Sequence, residues 1–280
     1  MTASHPDISP NCEKVAARLR VLDLFSGIGG FSLGLERTQG FETIAFCEID
    51  PFCRRVLAKH WPNVRQFNDV TKLRGEDVGP VDVICGGFPC QDISSAGRKV
   101  GLSGERSGLW SEYARLILEL RPAYVVVENV AALLNRGAAE VCGDLAAIGY
   151  DCEWHCISAS ALGAPHHRDR FWLVAYPNDR GEPVLSKHDE ARGLPATGRD
   201  HVAYAERGQR PLGWHLEGMR RQWECVARNA PWFTEDSPIG LGVDDGLPHR
   251  MDRLSALGNA VVPQIPELIG RAILQARAAA

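Results

Sequence analysis

The sequence of 280 residues contains no run of about 20 apolar residues, and residues 1–20 lack the apolar stretch of a secretory signal. We therefore expect no transmembrane helix and a cytoplasmic protein. Basic residues are not in excess either, because 31 Lys and Arg stand against 35 Asp and Glu, for a formal net charge of −4. This balance argues against a protein coated all over with phosphate-binding side chains, although it allows a local basic patch.

No C-x-x-C pair occurs among the nine cysteines. The segment CEWHC at 152–156 contains residue types that bind zinc, but its alternation is typical of a strand, and we predict no metal site. Without an export signal, the cysteines are expected to be reduced thiols rather than a disulfide framework.

Strand-like and helix-like segments alternate through the first 175 or so residues. Strands are predicted at 20–25, 41–49, 81–87, 123–129, 150–157 and 170–176, and helices near 30–38, 51–60, 109–120 and 137–148. The run AYVVVEN at 123–129 is typical of a strand that is covered on both faces. This alternation predicts a doubly wound α/β domain with a mainly parallel sheet over residues 18–176.

The composition and periodicity of the sequence change after this domain. Residues 177–250 are rich in Pro, Gly, Arg, His and Trp and show no clear periodicity, which predicts a small irregular lobe. Residues 251–280 resume apolar order and end as a helix. We expect this last segment to pack back on the first domain.

The segment DLFSGIGGFSLGLE at 23–36 follows the first strand and opens a helix. Its glycines allow a tight turn and let backbone N–H groups approach a ligand, although Ser32 breaks the strict G-x-G-x-x-G pattern. Glu48 closes the second strand, where an acid can hold ribose hydroxyls. Asp69 follows a third short strand, where it can accept from an adenine amino group or cap a helix. Together they predict a nucleoside-bearing cofactor at the strand C-termini.

Four further residues next to the ends of predicted strands carry chemistry. Cys90 follows Pro89 in a glycine-rich turn, whose exposed N–H groups can favour the thiolate that a nucleophile requires. Glu128 ends the AYVVVEN strand at the same sheet edge, where a carboxylate is costly unless it is paired or functional. Arg168 and Arg170 lead into another buried run, which favours contacts with an anion or a base edge.

These segments resemble the ordered motifs of the C5-cytosine-specific DNA methyltransferase family of bacterial or phage type. DLFSGIGGF is similar to its cofactor-binding motif, GGFPCQDIS to its nucleophile motif, ENV to its glutamate motif, HHRDRFWLVA to its double-arginine motif, and ALGNAVVP to its last motif. The resemblance spans residues 20–176 and 254–274. It departs from the family at His166, where a glutamine is usual, and in a short lobe and a compressed stretch before the last motif.

The resemblance implies a Rossmann-like, S-adenosylmethionine-dependent methyltransferase domain with a small target-recognition lobe. Its implied reaction is methylation at C5 of a cytosine flipped out of duplex DNA. Cys90 would attack C6 and form a covalent adduct, and Glu128 would hydrogen-bond and protonate N3. Arg170 and Arg168 would contact the base carbonyl or flanking phosphates.

The resemblance also assigns binding residues. The implied contacts to S-adenosylmethionine are Phe25, Gly27, Gly29, Gly30, Glu48, Ile49, Asp69, Val70, Pro89, Leu109, Asn259 and Val261. The implied DNA-binding residues are Gln91, Ser94, Arg98 and Asn129, and Asn129 would also help to position the loop of Glu128. The glycine-rich loop 94–108 has the composition of a mobile lid that closes on DNA.

Three other functions are weighed against this one. A related branch methylates cytosine in tRNA with the same Cys and Glu, but its Cys-Phe-Thr tripeptide is absent. A catalytically silent DNA-binding regulator would not need intact Cys90, Glu128 and Arg170. A nicotinamide-dependent enzyme explains neither Cys90 nor GNAVVP. The recognition sequence and the presence of a cognate restriction endonuclease stay open, and we expect a monomer.

Overall fold

The computed structural model describes residues 17–89, 108–164, 167–178 and 256–279. The predicted lobe at 177–250 therefore lies outside the described residues, apart from its first two positions.

The described chain alternates strands and helices. The strands are β1 Leu19–Leu24, β2 Phe41–Cys47, β3 Arg65–Phe67, β4 Val83–Gly86, β5 Tyr124–Val130, β6 Tyr150–Ser158 and β7 Asp169–Pro177. The helices are α1 Gly30–Glu36, α2 Pro51–His60, α3 Gly75–Val78, α4 Leu109–Leu120, α5 Leu133–Arg136, α6 Ala138–Ala147 and α7 Gln264–Ala279. A 3-10 turn at Ala159–Leu162 follows β6, which contains the CEWHC segment.

The strands form one seven-stranded sheet in the order β3-β2-β1-β4-β5-β7-β6. The pairs among β1 to β5 are parallel, and β7 runs antiparallel to both of its neighbours. The prediction of a doubly wound α/β domain with a mainly parallel sheet is confirmed. The strand order reverses between β1 and β4, and ligands bind at such a point, outside the carboxyl ends of the strands.

Both faces of the sheet are covered because successive side chains of a strand point to opposite sides. Leu22 and Leu24 of β1 pack in one buried cluster with Tyr113 and Leu116 of α4. The alternate residue Val21 packs in a second cluster that includes apolar residues of α1 and α7. This two-sided burial explains why most residues of β1 and β5 are apolar.

The residues just before helix α7, together with its first turn, pack against α1 at two glycines. A Cβ on Gly30 would collide with the Val261 carbonyl, and one on Gly34 would collide with the Pro263 carbonyl. The segment 261–263 therefore crosses α1 at backbone distance, which only glycine at these positions allows.

Within the described ranges, no helix combines the length and apolarity needed to cross a membrane. Among the same residues, no three His, Cys, Asp or Glu side chains are grouped so that they could hold a metal ion.

Candidate active site

The candidate site lies along the carboxyl edge of the parallel strands. Because β1, β2, β4 and β5 run in the same direction, the residues that follow them meet at that edge. The glycine turn follows β1, Glu48 follows β2, Gly87 follows β4, and Glu128 lies near the end of β5. The topology thus brings together residues that are up to about a hundred positions apart in the sequence.

The turn between β1 and α1 has an unusual backbone. Phe25, Gly27 and Gly29 have positive φ angles of 52°, 54° and 87°. Glycine adopts this left-handed region without cost, whereas a phenylalanine there is uncommon and is kept only where its surroundings impose it. The Ser26 hydroxyl donates to the Asp23 carbonyl at 2.6 Å, which ties the turn to the end of β1.

Glu48 links this turn to the end of β2. Its Oε2 accepts from the Gly27 amide at 2.7 Å, and its Oε1 accepts from the Asp50 amide at 2.8 Å. The next side chain, Ile49, is 77% exposed. Apart from the two neighbours of Gly27 in the chain, no described residue has an atom within 4 Å of where a Cβ on Gly27 would stand. A carboxylate beside an open glycine turn, with an exposed apolar side chain next to it, fits the ribose and base of a nucleoside ligand.

The other predicted cofactor residues lie on other segments of the chain. Asp69 accepts from the Thr71 amide and hydroxyl and pairs with Lys72 at 3.2 Å, so it caps a turn after β3. The Thr71 hydroxyl and Lys72 hold the Asp69 pKa below its usual range. Val70 is buried, Leu109 begins α4, and Asn259 is exposed on the segment that leads to Val261.

Glu128 lies in a largely enclosed position, with a side chain 12% exposed. Its Oε1 is 3.0 Å from Nε of Arg170, and a Cβ on Gly87 would stand 2.5 Å from its Oε2. Burial raises the pKa of Glu128, while the charges of Arg170 and Arg168 oppose that rise. The carboxyl group is therefore held between a guanidinium group and a glycine backbone.

Asn129 points the other way from the strand and is 3% exposed. Its amide donates to the Phe88 carbonyl at 2.9 Å, and its Oδ1 accepts from the Val130 amide. Asn129 thereby ties the end of β5 to the turn after β4. That turn continues to Pro89, the last described residue before Cys90.

Four predicted site residues lie outside the described residues: Cys90, Gln91, Ser94 and Arg98. His166, where the sequence departs from the family motif, also lies outside them. Their predicted roles stay predictions.

The two arginines that the sequence paired have different partners. Arg170 is on β7 and contacts Glu128, whereas Arg168 precedes the strand. Nη1 of Arg168 donates to the Gly258 carbonyl at 2.7 Å, and Nη2 donates to the Ala260 carbonyl at 3.0 Å.

Two residues of the site were not singled out by the sequence. Gly87 leaves room for the Glu128 carboxylate, and the repeated glycine of GGFPC was the available signal. Asp23, near the end of β1, is fully buried and accepts from the Ser32 hydroxyl at 2.7 Å. Burial raises the pKa of Asp23 to about 8, which the Ser32 hydrogen bond opposes. An acid inside an apolar strand was the signal for this residue.

A sequence model described as C-5 cytosine-specific DNA methylase matches residues 19–201. The type II methyltransferase M2.BsuMI of Bacillus subtilis is 35% identical over 217 residues, which are 72% of this chain and 55% of that protein. The type II methyltransferase M.CviJI of a Paramecium bursaria Chlorella virus is 36% identical over 163 residues, 57% of this chain and 44% of that protein. The chain thus spans about half the length of the curated relatives it matches.

The fold also resembles a solved structure, a DNMT2 variant of Spodoptera frugiperda. The TM-score is 0.50 at 22% identity, over 57% of this chain and 50% of that one. At this level of identity the likeness concerns the fold alone.

Proposed function

Because the chain belongs to the C-5 cytosine-specific DNA methylase family, we propose that it transfers a methyl group from S-adenosylmethionine to C5 of cytosine in double-stranded DNA. One observation carries the proposal: a buried carboxyl group, Glu128, is paired with Arg170 at 3.0 Å on the sheet edge that also holds the glycine turn. An acid and a nucleoside site on one edge are what methylation of a base requires.

The cofactor fits the turn after β1. Glu48 would accept from the ribose hydroxyls, Ile49 would pack on the adenine, and the turn from Phe25 to Gly30 would lie against the rest of the molecule. S-adenosylmethionine would supply an electrophilic methyl group. Val261 would line the same pocket, because its carbonyl lies against Gly30.

The cytosine must leave the DNA stack before protein groups can reach its ring. In this proposal the Cys90 thiolate attacks C6, and a C–S bond forms as the C5–C6 double-bond electrons shift towards C5. Glu128 hydrogen-bonds and protonates N3, which stabilises the charge that develops on attack. When C5 gains the methyl group, the electron pair of the broken sulfur–methyl bond would remain on the cofactor sulfur. A base then removes the C5 proton, the C–S bond to Cys90 breaks with departure of the thiolate, and the N3 proton returns to Glu128, which restores the ring.

The environment of Glu128 suits this task. A free glutamic acid has a pKa of about 4.3 and is almost fully ionised at neutral pH, which makes it a poor proton donor. Burial raises the pKa of Glu128 and Arg170 limits the rise. The residue can therefore exchange a proton nearer neutrality, while Arg170 keeps its carboxyl group oriented.

The setting of the reaction follows from the relatives, which are named type II methyltransferases. We propose the same setting for this chain, with duplex DNA as substrate, a cognate endonuclease as partner and the cytoplasm as location.

The direct test is sequencing of DNA, after bisulfite conversion, from cells that express the protein. Cytosines protected in one sequence context would establish the activity and the target together. Purified protein should transfer a tritiated methyl group to duplex DNA and not to tRNA. Preferential transfer to tRNA would contradict this proposal and favour a tRNA methyltransferase. Transfer to neither substrate would instead favour a protein that recognises DNA without modifying it.

A cysteine series tests the mechanism. Cys90→Ser should abolish methyl transfer and leave S-adenosylmethionine binding unchanged, because a serine hydroxyl is a far weaker nucleophile. Cys156→Ser is the matched control, since Cys156 is an exposed thiol on β6, and it should keep full activity. Methyl transfer by Cys90→Ser at the rate of the control would contradict the covalent mechanism.

A further inference from the structure

Arg168 uses both terminal nitrogens of its guanidinium group on one short stretch of backbone. Its two hydrogen bonds, at 2.7 and 3.0 Å, end on the carbonyls of Gly258 and Ala260, about 90 residues later in the chain. The planar guanidinium group is well suited to such two-point contacts, which a lysine cannot reproduce. Arg168 therefore fixes the path of the chain around Asn259.

The stretch held by Arg168 continues directly into the segment that covers the cofactor turn. Val261 follows Ala260, and its carbonyl lies so close to Gly30 that a Cβ there would collide with it. Gly30 begins α1 directly after the turn that contains Gly27. A shift of the 258–261 backbone would thus be transmitted to the first turn of α1.

Arg168 also sits in a position that disfavours a mobile contact with DNA. Partial burial lowers its pKa, the nearby charge of Arg170 adds to this, and Glu128 opposes it. If the side chain turned to a phosphate, it would give up both of these charge-assisted hydrogen bonds. Arg170 directs its Nε to Glu128 and its Nη1 to the Asp169 carbonyl, and within the described residues it has no hydrogen bond to 256–279.

We propose that Arg168 is a positioning residue of the cofactor pocket, which clamps the 258–261 backbone against α1, and that it contacts neither the target base nor a DNA phosphate. The inference rests on the proposed function, because it takes the turn at Gly27 as the S-adenosylmethionine site. The two arginines then have different roles: Arg170 orients the Glu128 carboxylate, and Arg168 positions the backbone beside the cofactor turn.

The first test is binding of S-adenosylmethionine by calorimetry to the full chain and to Arg168→Gln and Arg168→Lys. Loss of two hydrogen bonds from a charged donor should weaken binding by about tenfold or more in Arg168→Gln. Arg168→Lys should be weakened as well, because the ammonium cannot serve both carbonyls. Arg271→Gln, which removes an exposed arginine of α7 that pairs with Glu267, is the control and should bind like wild type.

The second test is the salt dependence of duplex DNA binding. A residue that neutralises one phosphate contributes about 0.9 to the slope of log affinity against log salt concentration. We expect the slope to be the same in wild type and Arg168→Gln. A slope smaller by about 0.9, with S-adenosylmethionine binding intact, would show that Arg168 contacts DNA and would overturn the inference.

Hydrogen exchange distinguishes clamping from a general loss of stability. Peptides that cover 256–264 should exchange faster in Arg168→Lys, while those from β4 and β5 should exchange as in wild type. Uniformly faster exchange would indicate a purely structural role and contradict the proposal. If wild type itself binds no S-adenosylmethionine, the proposed function fails; if wild type and Arg168→Lys bind it equally, only this inference fails.

Discussion

Alanine at Gly34 tests whether the C-terminal segment rests on α1 at backbone distance. A Cβ at this position would stand 2.8 Å from Cβ of Pro266 and 3.0 Å from the Glu267 amide nitrogen, and closer still to the Pro263 carbonyl. Ordinary contacts of this kind are about 3.5 Å or longer. Most of these atoms are backbone, so the start of α7 would have to move as a unit.

Two opposing free energies set the result. Alanine favours a helix interior over glycine by about 1 kcal/mol. Overpacking of a close contact costs about 1–3 kcal/mol, and a rigid backbone obstacle places Gly34→Ala at the upper end of that range. The net expectation is a loss of about 2 kcal/mol in the free energy of unfolding.

Gly143 on α6 provides the matched control. Apart from its chain neighbours and the backbone of its own helix, no described residue has an atom within 4 Å of where its Cβ would stand. Gly143→Ala should therefore gain up to about 1 kcal/mol from helix propensity alone. Urea unfolding followed by circular dichroism should separate the two variants by about 2–3 kcal/mol. The reasoning is refuted if Gly34→Ala is as stable as Gly143→Ala.

Three further changes test the site. Gly87→Ala should lower the single-turnover rate of methyl transfer and leave S-adenosylmethionine affinity intact. The added Cβ would stand 2.5 Å from Oε2 of Glu128 and would therefore displace the carboxylate; an unchanged rate would contradict this. Glu48→Ala should weaken S-adenosylmethionine binding in calorimetry far more than duplex DNA binding, since Glu48 holds the cofactor turn; equal losses would contradict it. Burial raises the Asp23 pKa from 3.8 to about 8, so folded wild type keeps a proton that the unfolded chain releases. Its stability relative to Asp23→Asn should fall as pH rises from about 5 to about 8, by at most about 1.4 kcal/mol per pH unit; urea titrations that show no pH dependence of this difference would contradict the assignment.

The sheet could be predicted from the sequence because its strands are short apolar runs that alternate with helices. The β5 run is buried on both faces, so nothing in it competes with the strand pattern. The end of β2 was less predictable. Its apolar pattern extends to Ile49, but the strand ends at Cys47, three residues before the Asp50 cap of α2. Just beyond the strand, Glu48 accepts from the Gly27 amide, a long-range contact that is not visible in a local pattern.

The different partners of Arg168 and Arg170 could not be predicted for a related reason. Two residues of a strand that are two positions apart point to one face, so the spacing alone indicates a shared role. The strand begins at Asp169, so Arg168 lies before it and its side-chain direction does not follow the alternation of the strand. Its acceptors are backbone carbonyls near the end of the chain, and backbone carbonyls leave no signature in a sequence.

Glycine has a double meaning at this site, and only the structure separates the two meanings. Gly27 and Gly29 have positive φ angles, which a pattern of glycines after a strand predicts, and Gly29 is also approached by the Trp61 ring. Gly30 and Gly87 are required instead by a group that approaches them, a carbonyl of the last segment in one case and the Glu128 carboxylate in the other. The first pair shapes the backbone that would bind the cofactor, whereas the second pair fixes what packs against it. A substitution at Gly27 should therefore act locally on cofactor binding, while one at Gly87 should act on the acid of the neighbouring strand.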